Sequence, residues 1–139
     1  MTIVDRVSAL GTGLRPYAPL VLRLAVGLVF LHHGVMKLHM GVGGVAGFLG
    51  SLGFPLPGLW AAVIIGVETV GAACVVVGLF TRLWAAAMAV EMVVAIAVAV
   101  LPAGRSPELE ALLLAGALAL AGLGDGPLAL GRLFRRTAA

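Results

Sequence analysis

GLWAAVIIGVETVGAACVVVGLFTRLWAAAMAVEMVVAIAVAVL, residues 58–101, holds two apolar runs parted by one short polar turn at Thr81 and Arg82. Each run, about Leu59–Leu79 and Leu83–Leu101, reaches the roughly 20 residues that carry an α-helix across the hydrocarbon of a bilayer. Near the middle of each stands one glutamate, Glu68 and Glu91. A carboxylate at that depth costs about 2.5–3.5 kcal/mol on insertion scales. Nothing else in the chain is so hard to explain as packing, so a functional site should be built around these two residues.

Composition agrees with the membrane reading. Of 139 residues, 62% are hydrophobic and 11% charged, with a mean hydropathy of +1.17; a soluble domain carries about 25% charged residues. A chain so poor in polar groups cannot cover its surface for water, which excludes an ordinary soluble enzyme. The net charge of +3 does not point to nucleic acid, because the basic residues gather at helix ends. The single cysteine, Cys74, excludes an intramolecular disulfide and a dithiol mechanism within one chain. It equally excludes a four-cysteine iron–sulfur cluster there.

Upstream, Met1–Pro16 forms a short basic lead with Arg6 and Arg15, followed by an apolar run over about Tyr17–Leu38. That run exceeds the 7–15 residues usual for a signal-peptide core and has no small-residue cleavage site, so it is read as a retained helix. Next comes MGVGGVAGFLGSLGFPLPG, residues 40–58. It lacks both the GK[ST] ending and the preceding strand of a phosphate loop. The spacing of Val45, Phe48, Leu49 and Leu52 instead predicts a glycine-rich outer loop or a short helix at the membrane surface. Pro55 and Pro57 punctuate the approach to the second span. Downstream, Pro102–Pro107 is a loop, and a fourth, slightly short helix covers about Glu108–Leu123. A basic tail with Arg132, Arg135 and Arg136 follows.

The expected fold is all-α: an integral membrane four-helix bundle in a single domain over residues 1–139, with helices at about 17–38, 59–79, 83–101 and 108–123. Four spans would put Arg6, Arg15, Arg82, Arg132, Arg135 and Arg136 on one side and Lys37 and Arg105 on the other. The positive-inside rule then predicts both termini in the cytoplasm.

Helix geometry places the polar residues. Glu68 and Glu91 lie roughly 14–18 Å from the turn between their helices at about 1.5 Å per residue, near the midplane. In the first span Arg23, Val26, Phe30, His33 and Lys37 share one face at 100° per residue. That face can supply cations to offset the buried carboxylates. Alternatively, Arg23 and Lys37 snorkel to the two interfaces, and His33 only hydrogen-bonds a neighbouring helix. Glu91 stands open between a second relay, an interface group and an ion-pair partner for Arg23. His32 and His39 are read as interfacial, and Glu108 and Glu110 as acids favoured by a helix N-terminus. Small residues at Gly27, Gly34, Gly71, Cys74 and Gly78 permit close approach between membrane helices.

Taken in order, LRLAVGLVFLHHGVMKL, GFLGSLGFPLPGLWA, GVETVGAACVVVGLFTRLWA and MVVAIAV resemble the DoxX family of small bacterial four-helix membrane proteins. The resemblance is carried by Arg23, by His33-Gly34 with Lys37, by the Gly53…Pro55 loop, and by Glu68-x-x-Gly71 running to Gly78-x-x-Thr81-Arg82. It departs at GLGDGPLA, residues 122–129, where Ala129 stands in place of a terminal aspartate in the family's GPGRYSLD-like ending.

The resemblance implies a multi-pass protein of the bacterial inner membrane. It also implies a link to quinone- or quinol-dependent redox systems and oxidative-stress complexes. On that reading Glu68 relays protons, His33 and Lys37 contact a quinone carbonyl, and Arg23 and Arg82 hold charge balance towards the cytoplasm; Glu91 joins this buried polar site by its depth alone, because it lies where the resemblance is mostly hydrophobic. No metal site and no cofactor within the chain are expected; quinone or quinol would be the substrate. Electrons would come from a partner or a diffusible donor, because all three histidines lie in or just after the first span and cannot pair across helices to hold a haem. The expected partners are membrane lipid, further copies of the chain or a redox complex, and no nucleic acid. Two other classes remain: a noncatalytic anchor or assembly subunit of a larger oxidoreductase, and a proton-coupled small-solute carrier built as an oligomer.

Overall fold

The computed structural model describes residues 2–136. The last three residues of the basic tail lie outside the described residues, as do the side chains of Arg135 and Arg136. The described chain is all-helical: α1 (Ile3–Leu14), α2 (Ala18–Ser51), α3 (Pro57–Val77), α4 (Thr81–Val100), α5 (Glu108–Leu123) and α6 (Gly131–Arg136). Among the described residues three stretches are long and apolar enough to cross a membrane: Ile3–Ser51, Pro57–Val77 and Thr81–Val100. The molecule is therefore a multi-span membrane helical bundle.

Its first helix was not expected from the sequence. The lead folds because Thr2 and Asp5 form a reciprocal capping box: the Thr2 hydroxyl accepts from Asp5 N, and the Asp5 carboxylate accepts from Thr2 N at 2.7 Å. Such a cap satisfies two of the donors that a helix start leaves open. A 3₁₀ turn over Arg15–Tyr17 joins α1 to α2.

With 34 residues, α2 is about 51 Å long at 1.5 Å per residue, too long for one crossing of a core about 30 Å thick. It breaks at Gly41, whose φ of 75° lies outside the helical region at little steric cost to glycine. The segment after the break, residues 42–51, turns Val45 and Leu49 onto Ala61 and Ile65 of α3 in a small apolar cluster. The glycine-rich stretch is thus helical to Ser51 and packed against α3, while Phe48 on its other side is 54% exposed.

The main core draws on four helices: Val26 and Phe30 from α2, Ala72 and Val75 from α3, Ala85, Met88 and Met92 from α4, and Leu113, Ala117 and Leu120 from α5. Alanines at the contacts let the backbones approach closely, as membrane helices require. Large apolar residues face outwards along every long helix, among them Leu28, Val63, Val90 and Leu112. At 16 residues, α5 reaches about 24 Å, and Glu108 and Glu110 occupy its first turn. Two five-residue π-turns interrupt the ladders, Val67–Gly71 in α3 and Ile96–Val100 in α4.

Candidate functional site

Glu68 sits inside the first π-turn and is 3% exposed. A π-turn admits one extra residue per turn and re-aims the side chains it carries, often at functional sites. Facing it, α2 presents Gly34. A Cβ added there would lie 2.6 Å from the carbonyl carbon of Glu68 and closer still to its oxygen. Only glycine lets the two backbones meet at this level. The Thr69 hydroxyl donates to the Ile65 carbonyl at 2.6 Å, tying the same turn to the one before it.

One turn beyond Gly34 the Lys37 ammonium donates to Glu68 Oε2 at 2.5 Å. The lysine side chain is 29% exposed and that of Glu68 4%, so the pair is open to its surroundings only from the lysine side. From α4 the Glu91 carboxyl comes close enough to interact with that of Glu68 and lies within electrostatic reach of Lys37. Its Oε2 is buried and has no hydrogen-bond partner among the described residues. Three helices therefore bring two carboxyl groups and one ammonium together. One positive charge cannot balance two negative ones in a low-dielectric setting, so this cluster holds one more acidic group than its single cation can pair.

His33 lies one turn before Lys37 on the same side of α2 and is half-buried. Its ring meets that of His32 edge-on, with centroids 5.8 Å apart. No hydrogen bond joins it to Glu68 among the described residues. His39 is exposed, its ring Nδ1 within 2.8 Å of the Val35 carbonyl.

Arg23 goes elsewhere. It stands fourteen positions before Lys37, about 21 Å along the helix, too far to reach either glutamate. Fully buried at 1% exposure, its guanidinium donates to the backbone carbonyls of Asp125 and Leu128. The Asp125 carboxylate accepts from Thr81 N at 3.1 Å, closing the start of α4. Leu130 N and Gly131 N donate to the carbonyls of Val77 and Gly78, so the segment after α5 is laced to the end of α3. Gly78 is required twice over: its φ is +78°, and a Cβ would strike the Arg23 guanidinium and come within 2.6 Å of Ala129 Cβ. Arg82 belongs to this end as well, crossing Gly124 and exposed.

Of the residues singled out from sequence, Lys37, Glu68 and Glu91 thus converge, with His33 one turn away. Arg23 and Arg82 form a second, separate assembly, and the pairing of Arg23 with Glu91 is replaced by its bonds to the 125–128 loop. Sequence reasoning missed Asp125, whose only signal was its place in a Gly-Asp-Gly-Pro turn.

Comparison with known proteins supports the same region. The family model for DoxX matches residues 18–102. Inner membrane protein YphA of Escherichia coli (strain K12) is 40% identical over 68 residues, 49% of this chain and 48% of YphA. The chain thus spans about half the length of that relative. A Bacillus subtilis (strain 168) protein named "Putative oxidoreductase CatD" is 36% identical over 113 residues, 80% of this chain and 82% of CatD. No solved structure matches. The matched region holds Gly34, Lys37, Glu68 and Glu91 together with the helices that carry them. This multi-pass protein of the inner membrane belongs to the DoxX family.

Proposed function

We propose that the chain is the membrane subunit of a quinone-linked redox system, and that Lys37, Glu68 and Glu91 form its proton-handling centre. The observation that carries this reading is the Lys37–Glu68 pair, its carboxylate buried, with a second carboxyl group beside it. A quinone takes up two electrons and two protons to become a quinol, so its site needs proton carriers beside an apolar slot. The carboxyl pair holds one proton that can pass between its members or to a bound acceptor. The Lys37 ammonium, partly exposed, offers a further donor to a quinone oxygen, and His33 a turn away offers an imidazole. The unpartnered Glu91 Oε2 fits a ligand hydroxyl or carbonyl brought into hydrogen-bond range. Electrons come from an oxidoreductase partner, and the name of CatD supports a redox setting for the relatives. In this reading α5 is a fourth, slightly short span, and both termini face the cytoplasm.

Binding tests the proposal directly. Purified full-length protein in detergent should bind a short-chain benzoquinone, and Glu68→Gln should weaken that binding at least tenfold. Undetectable binding to the intact protein would remove the quinone reading.

A second reading is a noncatalytic anchor, favoured by one observation: the hydrogen bonds of buried Arg23 run to backbone carbonyls of the 125–128 loop, as those of a structural residue would. Here the Lys37–Glu68 pair would set helix register only. Recovery of a stoichiometric oxidoreductase partner whose turnover ignores Glu68→Gln would favour it.

A further inference from the structure

Where α3 ends and α4 begins, the molecule opens a groove of about 1190 Å³ between the first turn of α4, the end of α5 and α6. We infer that this groove binds an anionic phospholipid, with the headgroup phosphate between Arg82 and Arg132 and an acyl chain along Phe80, Leu83 and Phe134. The inference rests on the fold alone and stands apart from the redox reading.

Position gives the first argument. The groove lies at the common end of two membrane-crossing helices, Pro57–Val77 and Thr81–Val100, which is the level of the lipid headgroups. Chemistry gives the second. Among the described residues two arginines line it beside one carboxylate, Asp125. That carboxylate accepts from Thr81 N and interacts electrostatically with buried Arg23, so its charge is drawn towards the protein and the guanidinium groups dominate the mouth. Phe80, Leu83 and Phe134 are 66%, 66% and 63% exposed on the same groove. Cations bordered by bare apolar surface match a molecule with an anionic head and a hydrocarbon tail; a free phosphate would leave the apolar wall uncovered. Basic pockets between helices at this level are a recurrent means of recognising anionic lipid.

The groove is also held in shape. Arg82 crosses Gly124, where a Cβ would lie 2.7 Å from its Nε, so the stem of the guanidinium has a fixed bed. The backbone bonds of Leu130 and Gly131 to the end of α3 fix the approach to α6, which carries Arg132 and Phe134.

The test is lipid titration of the delipidated full-length protein, read by native mass spectrometry. Phosphatidylglycerol and phosphatidylcholine with identical acyl chains are compared. Phosphatidylglycerol should bind at least tenfold more tightly. Arg82→Gln and Arg132→Gln should each weaken it about fivefold, the value of one basic residue near an anionic surface. The double variant should fall to the phosphatidylcholine level, and Arg82→Lys with Arg132→Lys should stay within about twofold of wild type. Arg15→Gln, basic but outside the groove, should change nothing. Arg132 is exposed, so its variant keeps the test informative if Arg82→Gln fails to fold. Equal binding of the two lipids, an unchanged preference in the double variant, or a loss in Arg15→Gln matching that in Arg132→Gln would overturn the inference.

Discussion

Lys37 and Glu68 are joined across two helices by a hydrogen-bonded ion pair of 2.5 Å, at the level where Gly34 lets α2 meet the backbone of the Glu68 π-turn. The pair and the close approach depend on each other. The lysine reaches the carboxylate because the backbones touch, and burial of that carboxylate is tolerable because the lysine arrives.

Removing one partner should therefore cost more than removing both. Lys37→Met leaves two carboxyl groups facing no cation and should destabilise the protein by about 3 kcal/mol, the scale for an orphaned buried charge. Lys37→Met with Glu68→Gln should recover a large part of that loss. Unfolding of the two single variants and the double variant in mixed micelles measures the coupling; simple additivity would show that the pair is not energetically linked.

Gly34→Ala should be among the most damaging single-carbon additions in the chain. Overpacking of this kind costs about 1–3 kcal/mol, and here the obstruction is backbone, which cannot turn aside. Gly47→Ala meets nothing within 4 Å and should be neutral or stabilising by up to about 1 kcal/mol, the helical advantage of alanine over glycine. Thermal midpoints of the two variants give the comparison.

The second assembly has its own signature. Arg23→Met removes two charged hydrogen bonds to the 125–128 loop, each worth about 1.5–3 kcal/mol. Asp125→Ala removes the side-chain acceptor at the start of α4, worth about 1 kcal/mol for a helix cap. A cysteine placed at Ala129, which is 7% exposed, should label slowly with a maleimide in the wild-type background and much faster with Arg23→Met. Equal labelling would mean that Arg23 does not hold the loop.

How much of this was visible in the sequence follows from what carries a local signal. The apolar runs set helix positions, and Glu68 was conspicuous because charge is expensive in lipid. The 100° periodicity put His33 and Lys37 on one face, and Lys37 proved to be the cation that serves Glu68. The partner of Arg23 was not legible, because it is backbone carbonyl in a distant loop and carbonyls leave no trace in composition. Asp125 was hidden for a related reason: it closes a helix start forty-four residues earlier in the chain. The π-turns have no residue signature either. The segment beyond Gly41 was legible as a loop or a short surface helix from the spacing of Val45, Phe48, Leu49 and Leu52, but its packing of Val45 and Leu49 against α3 was not, because a helix face does not name its partner. The capping box of α1 has a local signature in Thr2-x-x-Asp5, but the lead that follows carries no long apolar run to mark it as a helix.

The measurement that bears most directly on the central claim is quinone-linked electron transfer in membranes carrying Glu68→Gln at wild-type protein levels. Proton transfer by a positioned side chain contributes about 10²–10⁴-fold to a rate. Glutamine keeps the size and hydrogen-bonding capacity of the residue but cannot exchange a proton. The proton-handling account requires the rate per folded, assembled protein to fall at least a hundredfold while partner association is retained. A variant that is folded, assembled and fully active would contradict it, leaving Lys37 and Glu68 as a structural pair.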